Sequence, residues 1–367
     1  MRLTMPKEEL VKRLSMVAGV VERRQTRPIL SNVLIEAGQG KVSLTGTDLE
    51  VEMVTWAQAQ VTQEGATTVP GRKFLDIVRA LPAHSEVDIQ REEDRLKISA
   101  GRSRFLVSTM PAVDFPSIDT VAWEVNFAVD GAVLRKLIEK TQFCMAQQDV
   151  RYYLNGLMLE TMTGSLKAVA ADGHRLALCE ERLEGIDVGE KQVIVPRKGV
   201  VEMTRFLAGT EGPVEVRLAS NHIRVEGQDV VFTSKLIDGR FPDYNRVVPN
   251  KVQEVAVLGR DMLREMLGRV GVVSSEKHRG VRLVFSGTVL TASTHNPERD
   301  EASEELALGK AVGNFEVGFN VGYLVEAISA IEGEEIEMGW NDINSGCRIR
   351  DAAGDGTAVY VVMPMRL

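Results

Sequence analysis

The sequence predicts an α+β fold made of three tandem copies of one unit, each about 120 residues of two helices packed on antiparallel sheets. Three observations predict it. Amphipathic helical segments recur at near-constant spacing, short apolar runs of strand character follow each of them, and landmark residues hold register from copy to copy. Leu10 to Leu134 spans 124 residues and Leu134 to Leu263 spans 129. Asp48, Asp172 and Asn296 are spaced by 124 and 124, and Phe115-Pro116 lies 126 residues before Phe241-Pro242.

The first element of each copy is a helix with one apolar face: Leu10, Leu14 and Val17, then Leu134, Leu137 and Ile138, then Leu263, Met266, Leu267 and Val270. A strand pair follows. Asn32–Glu36 leads to Leu44–Asp48, Asn155–Glu160 to Val169–Asp172, and Gly280–Leu283 to Leu290–Asn296. A third strand then runs into a second helix. Thr68-Val69-Pro70-Gly71 matches Ile194-Val195-Pro196-Arg197, with Gly318-Phe319-Asn320-Val321 in the same place of the last copy. Proline at the first helical position fits, because its missing N–H would be unpaired there. Phe74, Ile77, Val78 and Leu81, then Val200, Met203 and Leu207, then Leu324, Ile328 and Ile331 give the second helices their buried faces. Strands Arg104–Ser108, Val230–Ser234 and Val359–Pro364 close the copies. Short turn signals such as Gly38-Gln39-Gly40 and Thr163-Gly164 make the strands antiparallel. The domains are expected at residues 1–123, 126–250 and 253–367.

Hydrophobic content of 44% and charged content of 26% are ordinary for a globular protein. Cys144, Cys179 and Cys347 are scattered and form no CxxC pair. With a polar start, Met1-Arg2-Leu3-Thr4-Met5-Pro6-Lys7, they predict a reducing cytoplasm. No apolar run reaches the roughly 18 residues of a membrane span.

Catalytic signatures are missing. There is no P-loop, GxGxxG after a strand, GxSxG elbow or HExxH. The five histidines lack metal-ligand spacing, so neither metal nor cofactor is expected. Asp48, Glu50 and Glu52 share one face if they lie on a strand, and that face is expected to be solvated.

Net charge is −8, but its distribution is uneven. The six predicted helices sum to +5, leaving −13 for the rest, and five of the six are net basic. Asn320–Gly333 is the exception at −2. Glu22-Arg23-Arg24-Gln25-Thr26-Arg27 adds a basic loop. Helices gathered on one surface would make it positive, which suits phosphate contacts that ignore sequence.

Several stretches are specific. Leu44-Thr45-Gly46-Thr47-Asp48-Leu49-Glu50, Gln148-Asp149-Val150-Arg151-Tyr152-Tyr153-Leu154-Asn155-Gly156, Asp172-Gly173-His174-Arg175-Leu176, Asp238-Gly239-Arg240-Phe241-Pro242-Asp243-Tyr244 and Tyr360-Val361-Val362-Met363-Pro364-Met365-Arg366-Leu367 closely resemble the bacterial DNA sliding clamps, the beta subunits of DNA polymerase III. The resemblance runs the full length in register. It implies a non-enzymatic processivity factor: a head-to-tail homodimer closed into a ring around double-stranded DNA, with helices inside and sheets outside. Twelve helices at ~9–10 Å spacing give a diameter near ~36 Å across the axes, leaving roughly 26 Å inside the backbones, which admits a duplex.

The resemblance carries DNA contact onto Arg24, Arg72, Gln148, Tyr152 and Tyr153. It carries a pocket for short peptides of the DNA polymerase III core, the clamp loader, other polymerases and repair proteins onto Leu154, Gly173, His174, Arg175, Leu176, Pro242, Arg246, Val247, Asn320, Tyr323, Val361, Met363, Pro364, Met365 and Arg366. His278, Asn344 and Gly346 depart from the usual pocket pattern. At the dimer seam, Arg95, Arg102 and Arg104 are expected to meet Glu298, Glu301 and Glu304, flanking Phe105 and Val107 against Val272 and Val273. Two alternative readings are carried beside it: a metal-dependent nuclease using the Asp48 or Asp172 regions, for which no motif speaks, and a purely protein-binding scaffold.

Overall fold

A computed structural model describes residues 1–22, 27–118, 121–183, 188–249, 251–275, 279–354 and 356–366. Arg24 and His278 lie outside the described residues. The described chain has six α-helices: α1 Lys7–Val20, α2 Gly71–Ala80, α3 Gly131–Glu139, α4 Arg197–Leu207, α5 Arg260–Gly271 and α6 Val321–Ser329. Each carries the apolar face its sequence period predicts. Leu10, Leu14 and Val17 of α1 are buried, as are Leu263, Met266, Leu267 and Val270 of α5. Pro70 and Pro196 sit one residue earlier than expected, each capping a helix as the last residue of the preceding strand. Their fixed φ is compatible with extended backbone, and the helix then starts on a residue that keeps its N–H. In the third copy Asn320 caps α6, its side chain accepting from the Tyr323 N–H at 3.2 Å.

The chain falls into two compact units, residues 1–135 with 195–236, and residues 136–194 with 237–367. The first holds a five-stranded sheet that ends in Ser103–Ser108 as an edge strand. It also holds an eight-stranded sheet. That sheet crosses a repeat boundary: Val51–Thr55 of the first copy pairs antiparallel with Val230–Ser234 of the second, Ser234 opposite Val51. The other unit repeats the device. Arg175–Cys179 of the second copy pairs with Ala358–Val362 of the third, Val362 opposite Arg175.

The third copy departs from the predicted strand pair. Segments 280–283 and 290–295 fall within one long strand, Gly280–His295, paired with Glu301–Asn320. Register shifts flank Gly287, whose φ of +60° is open to glycine. Thr294 Oγ1 donates to the Gly280 carbonyl at 2.7 Å, so the strand folds back at Gly287 and its two arms take the predicted places.

The Asp48 region corrects another expectation. Asp48 is not on a solvated strand face. It accepts the backbone N–H groups of Glu50 and Val51 at 2.9 and 2.7 Å and pairs with Lys198, so it shapes the turn ahead of the next strand. Glu52 is buried, and burial pushes its carboxyl above the usual range, opposed by a backbone N–H from Ile118 and by Arg224. The acidic charge of Asn320–Gly333, the segment of α6, also has a partner set. Glu326 within the helix pairs with Arg175, and Glu332 just beyond it with Lys140 at 2.7 Å, so this segment answers cations of the preceding copy.

Candidate partner-binding cleft and DNA-facing residues

Asp172 begins the cleft. Its Oδ1 accepts from the His174 and Arg175 N–H groups at 2.9 and 3.0 Å, and Gly173 takes φ +88°. That left-handed φ is what calls for glycine here; a Cβ would meet only the movable end of Arg151, Nη2 at 2.7 Å. The turn aims Arg175 inward. Its Nε donates to Asp172 Oδ2 at 3.0 Å and its Nη2 to the Phe143 carbonyl at 2.8 Å, and Glu326 pairs with Nη1. The guanidinium lies 4.3 Å from the centre of the Tyr323 ring and 5.6 Å from that of Phe143. The strand then continues into Leu176, which joins Leu154, Met158, Val169, Phe241, Tyr244 and Val361 in one buried cluster.

Above that cluster opens a cleft of about 570 Å³. Leu154, Gly173, Arg175, Leu176, Pro242, Arg246, Val247, Val361 and Met363 line it, nine of the residues expected there. His174, Asn320, Tyr323, Pro364, Met365 and Arg366 are not in this lining. His174 stacks on Tyr323 with centroids 6.4 Å apart, and its carbonyl accepts from the Met363 N–H at 2.8 Å. Met365 and Arg366 line a separate cleft of about 420 Å³ with Arg282 and His295.

Sequence reasoning missed Arg151, Ala171, Phe241, Asp243, Tyr244, Pro249, Asn341 and Ser345 in the lining. The Phe241-Pro242 landmark was the available signal: an apolar pair kept at a strand exit. Gly346, one of the departures from the usual pattern, does line the cleft. A Cβ there would stand 2.5 Å from Val361 Cγ1, so close packing onto the cleft floor requires its absence. Asn344 lies in the adjoining turn, its N–H donating to Asp342 Oδ1 at 2.8 Å. The cleft is apolar below, with Arg151 and Arg246 at its rim and the inward-aimed Arg175 in its wall. Arg151 and Arg246 are held by neighbouring carboxylates, Asp149 at 2.8 Å and Asp243 at 3.0 Å. Such a site grips apolar side chains and orients a polar or acidic backbone neighbour.

The DNA-facing candidates divide between the units. Arg72 opens α2 in the first, exposed, with Nη2 donating to the Val21 carbonyl at 3.2 Å. In the other unit Gln148 is exposed at φ +54°, and Tyr152 is exposed, its ring edge-on to the half-buried Tyr153 at 5.8 Å. Most of the seam candidates are also surface residues. Arg95, Arg102, Arg104 and Phe105 are exposed, as are Val272, Glu298 and Glu301; Val273 is half-buried and Val107 buried. Glu304 already accepts from Arg269 Nη2 at 2.6 Å. Among the described residues no three His, Cys, Asp or Glu side chains come together as a metal site, and none of the three cysteines is in a disulfide.

Comparison with known proteins identifies the family. Residues 1–119, 128–243 and 245–366 match, in order, the N-terminal, central and C-terminal domains of the DNA polymerase III beta subunit. The beta sliding clamps of Pseudomonas aeruginosa and Escherichia coli K12 are each 47% identical over 368 residues, covering all of both chains. A crystal structure of the Pseudomonas aeruginosa clamp bound to griselimycin superposes with a TM-score of 0.96 at 46% identity over the whole of both chains. A Caulobacter crescentus clamp gives 0.95 at 37% identity, covering 100% of this chain and 99% of that one. With three family domains matched in order along its length, the chain belongs to the DNA polymerase III beta subunit family and is a DNA sliding clamp, a processivity factor of DNA replication rather than an enzyme.

Proposed function

We propose that two copies of this chain close head-to-tail into a ring that encircles duplex DNA and tethers polymerases and repair proteins through the cleft at Leu176 and Val361. The observation that carries the closure is a strand-pairing rule used twice and left open once. The strand after Asp48 pairs with the next copy's closing strand, and so does the strand after Asp172. The strand after Asn296 and the first copy's closing strand Ser103–Ser108 remain. Ser103–Ser108 is a sheet edge that exposes Phe105 and Leu106, an aggregation hazard unless another chain covers it. A second copy covers both open strands through two equal heterologous contacts.

The rule also gives the register. The Asn296 N–H donates to the Asp300 carbonyl as Asp48 does to Val51 and Asp172 to Arg175, so Asp300 stands in their place. The Thr109 N–H donates to Asp94 as Leu236 does to Asn221, and Met110 bridges Thr68 as Met365 bridges Gly318. Both relations make Val107 the counterpart of Ser234 and Val362. Val107 then faces Asp300 of the partner subunit and Arg104 faces its Ser303, with Glu301 and Glu305 diagonal on the same face. This supports the seam residues Arg95, Arg102, Arg104, Phe105 and Val107 against Val272, Val273, Glu298, Glu301 and Glu304.

The three domains are residues 1–123, 126–250 and 253–367, and the protein works in the cytoplasm. Arg24, Arg72, Gln148, Tyr152 and Tyr153 touch DNA: arginine for phosphate, tyrosine for stacking on unpaired bases. The cleft takes peptides from the polymerase III core, the clamp loader, other polymerases and repair proteins, with His174, Asn320, Tyr323, Pro364, Met365 and Arg366 extending it, and it also takes griselimycin. The test is retention on nicked circular DNA after loading. Linearising the DNA without end blocks should release the protein at once; continued retention would refute encirclement.

A further inference from the structure

The segment Phe241–Arg246 has open space on both sides. One side is the partner cleft. The other is a second cleft of about 500 Å³ lined by Tyr153, Met158 and Gln192. Phe241, Pro242, Asp243, Tyr244 and Arg246 line both. A wall one segment thick keeps its position through its anchors. Among the described residues its backbone bonds are local: the Arg246 N–H donates to the Asp243 carbonyl, and the Val247 and Val248 N–H groups to the Tyr244 carbonyl. These shape a single 3₁₀ turn without tying it to a sheet.

A side chain makes that tie. The Tyr244 hydroxyl donates to Glu160 Oε2 at 2.6 Å, and both residues are buried. Glu160 sits on the strand Gly156–Met162, inside a second eight-stranded sheet, the one that joins Arg175–Cys179 to Ala358–Val362. Its other oxygen accepts from Gln192 Nε2 at 2.5 Å. Lys167 Nζ stands 3.4 Å from the Tyr244 oxygen and 3.5 Å from Glu180. Lys167 Nζ also stands 3.8 Å from Glu160 Oε2, so the carboxylate has a polar partner on each side besides Tyr244. Burial first, and Glu160 second, raise the Tyr244 hydroxyl above its ordinary pKa, so it stays a donor at neutral pH.

We propose that Glu160, which lines neither cleft, is a positioning residue for the partner cleft: through Tyr244 it fixes the wall that carries Phe241, Pro242 and Arg246, and so sets how tightly the cleft holds a ligand. The proposal rests on reading this cleft as the partner site. Without the Glu160 bond the Tyr244 ring keeps its packing on Met158 but loses its hydrogen bond to the strand beneath, and the second cleft gives the wall room to retreat. Affinity then falls although no ligand contact has been removed, because the ligand must order the wall itself.

The experiment is calorimetric titration of griselimycin into the full-length protein and five variants. Tyr244→Phe and Glu160→Leu should each weaken binding about tenfold, and the double variant no more than either alone, since both remove one bond. Glu160→Gln keeps an amide oxygen to accept the hydroxyl and should stay within about twofold of the parent. Val247→Asp, in the cleft itself, should abolish binding. Tyr244→Phe deletes one oxygen atom, so it keeps the test readable where Glu160→Leu fails to fold. Parental affinity in Tyr244→Phe, with Val247→Asp defective, would overturn the positioning role and leave the cleft reading intact. Parental affinity in Val247→Asp would overturn the cleft reading beneath it.

Discussion

Phe105→Arg tests the seam at its apolar centre. Phe105 lies on the open edge strand Ser103–Ser108 and keeps 37% of its surface exposed in the single chain. For a phenylalanine of roughly 200 Å² that is about 75 Å² for a partner to cover. At ~25 cal/mol per Å² the contact contributes ~2 kcal/mol. A head-to-tail dimer makes the contact at both seams, so one substitution removes ~4 kcal/mol, on the order of a thousandfold in the dimer Kd. The new guanidinium also joins the exposed Arg102 and Arg104, adding like-charge repulsion at low salt. Sedimentation velocity or light scattering across a concentration series at high salt reads the result. The parent should stay dimeric where the variant is monomeric. A variant that remains dimeric at the parent's concentrations would refute the seam.

Other predictions concern charge. Glu52 has a folded-state pKa raised by burial, so its contribution to stability is present below the ordinary glutamate value and is lost as pH rises through the raised one. Glu52→Gln should therefore stabilise the protein at pH 8, with the gain fading as pH falls towards the ordinary glutamate range; thermal melts across that span check the sign. Arg175→Ala leaves Asp172 and Glu326 without their shared cation and should cost ~3–5 kcal/mol in urea unfolding. Arg72→Ala should weaken binding to duplexes of any sequence alike and make the slope of log K against log salt shallower by about 1, measured by fluorescence anisotropy.

The sequence exposed whatever repeats locally. The faces of α1 and α5 are visible because a 3.6-residue period marks them, and the spacing of Asp48, Asp172 and Asn296 fixes the copies in register. The turn role of Asp48 was not visible, since alternating acids read equally well as a strand face. The sheets shared between copies left no local trace either. Ser234 meets Val51 across most of two repeats, and nothing in either segment names its partner. The bend at Gly287 split one long strand into two apparent ones. In the cleft, Leu176, Val361 and Met363 were legible through the family motifs. Tyr244 and Gly346 contribute through packing on the far side of the turn, which appears only once Phe241 is seen on the same cluster as Val361.

Covalent closure measures encirclement most directly. Val107→Cys with Asp300→Cys places two thiols opposite each other at each seam, within the roughly 4.4–6.8 Å Cα separation a disulfide spans. The native Cys144, Cys179 and Cys347 are buried and do not compete. The variant is loaded onto circular DNA and then oxidised. It should form a two-chain covalent ring that stays with the circle through detergent denaturation and leaves when the circle is cut. Oxidised dimers that detergent strips from uncut circles would contradict a ring around DNA.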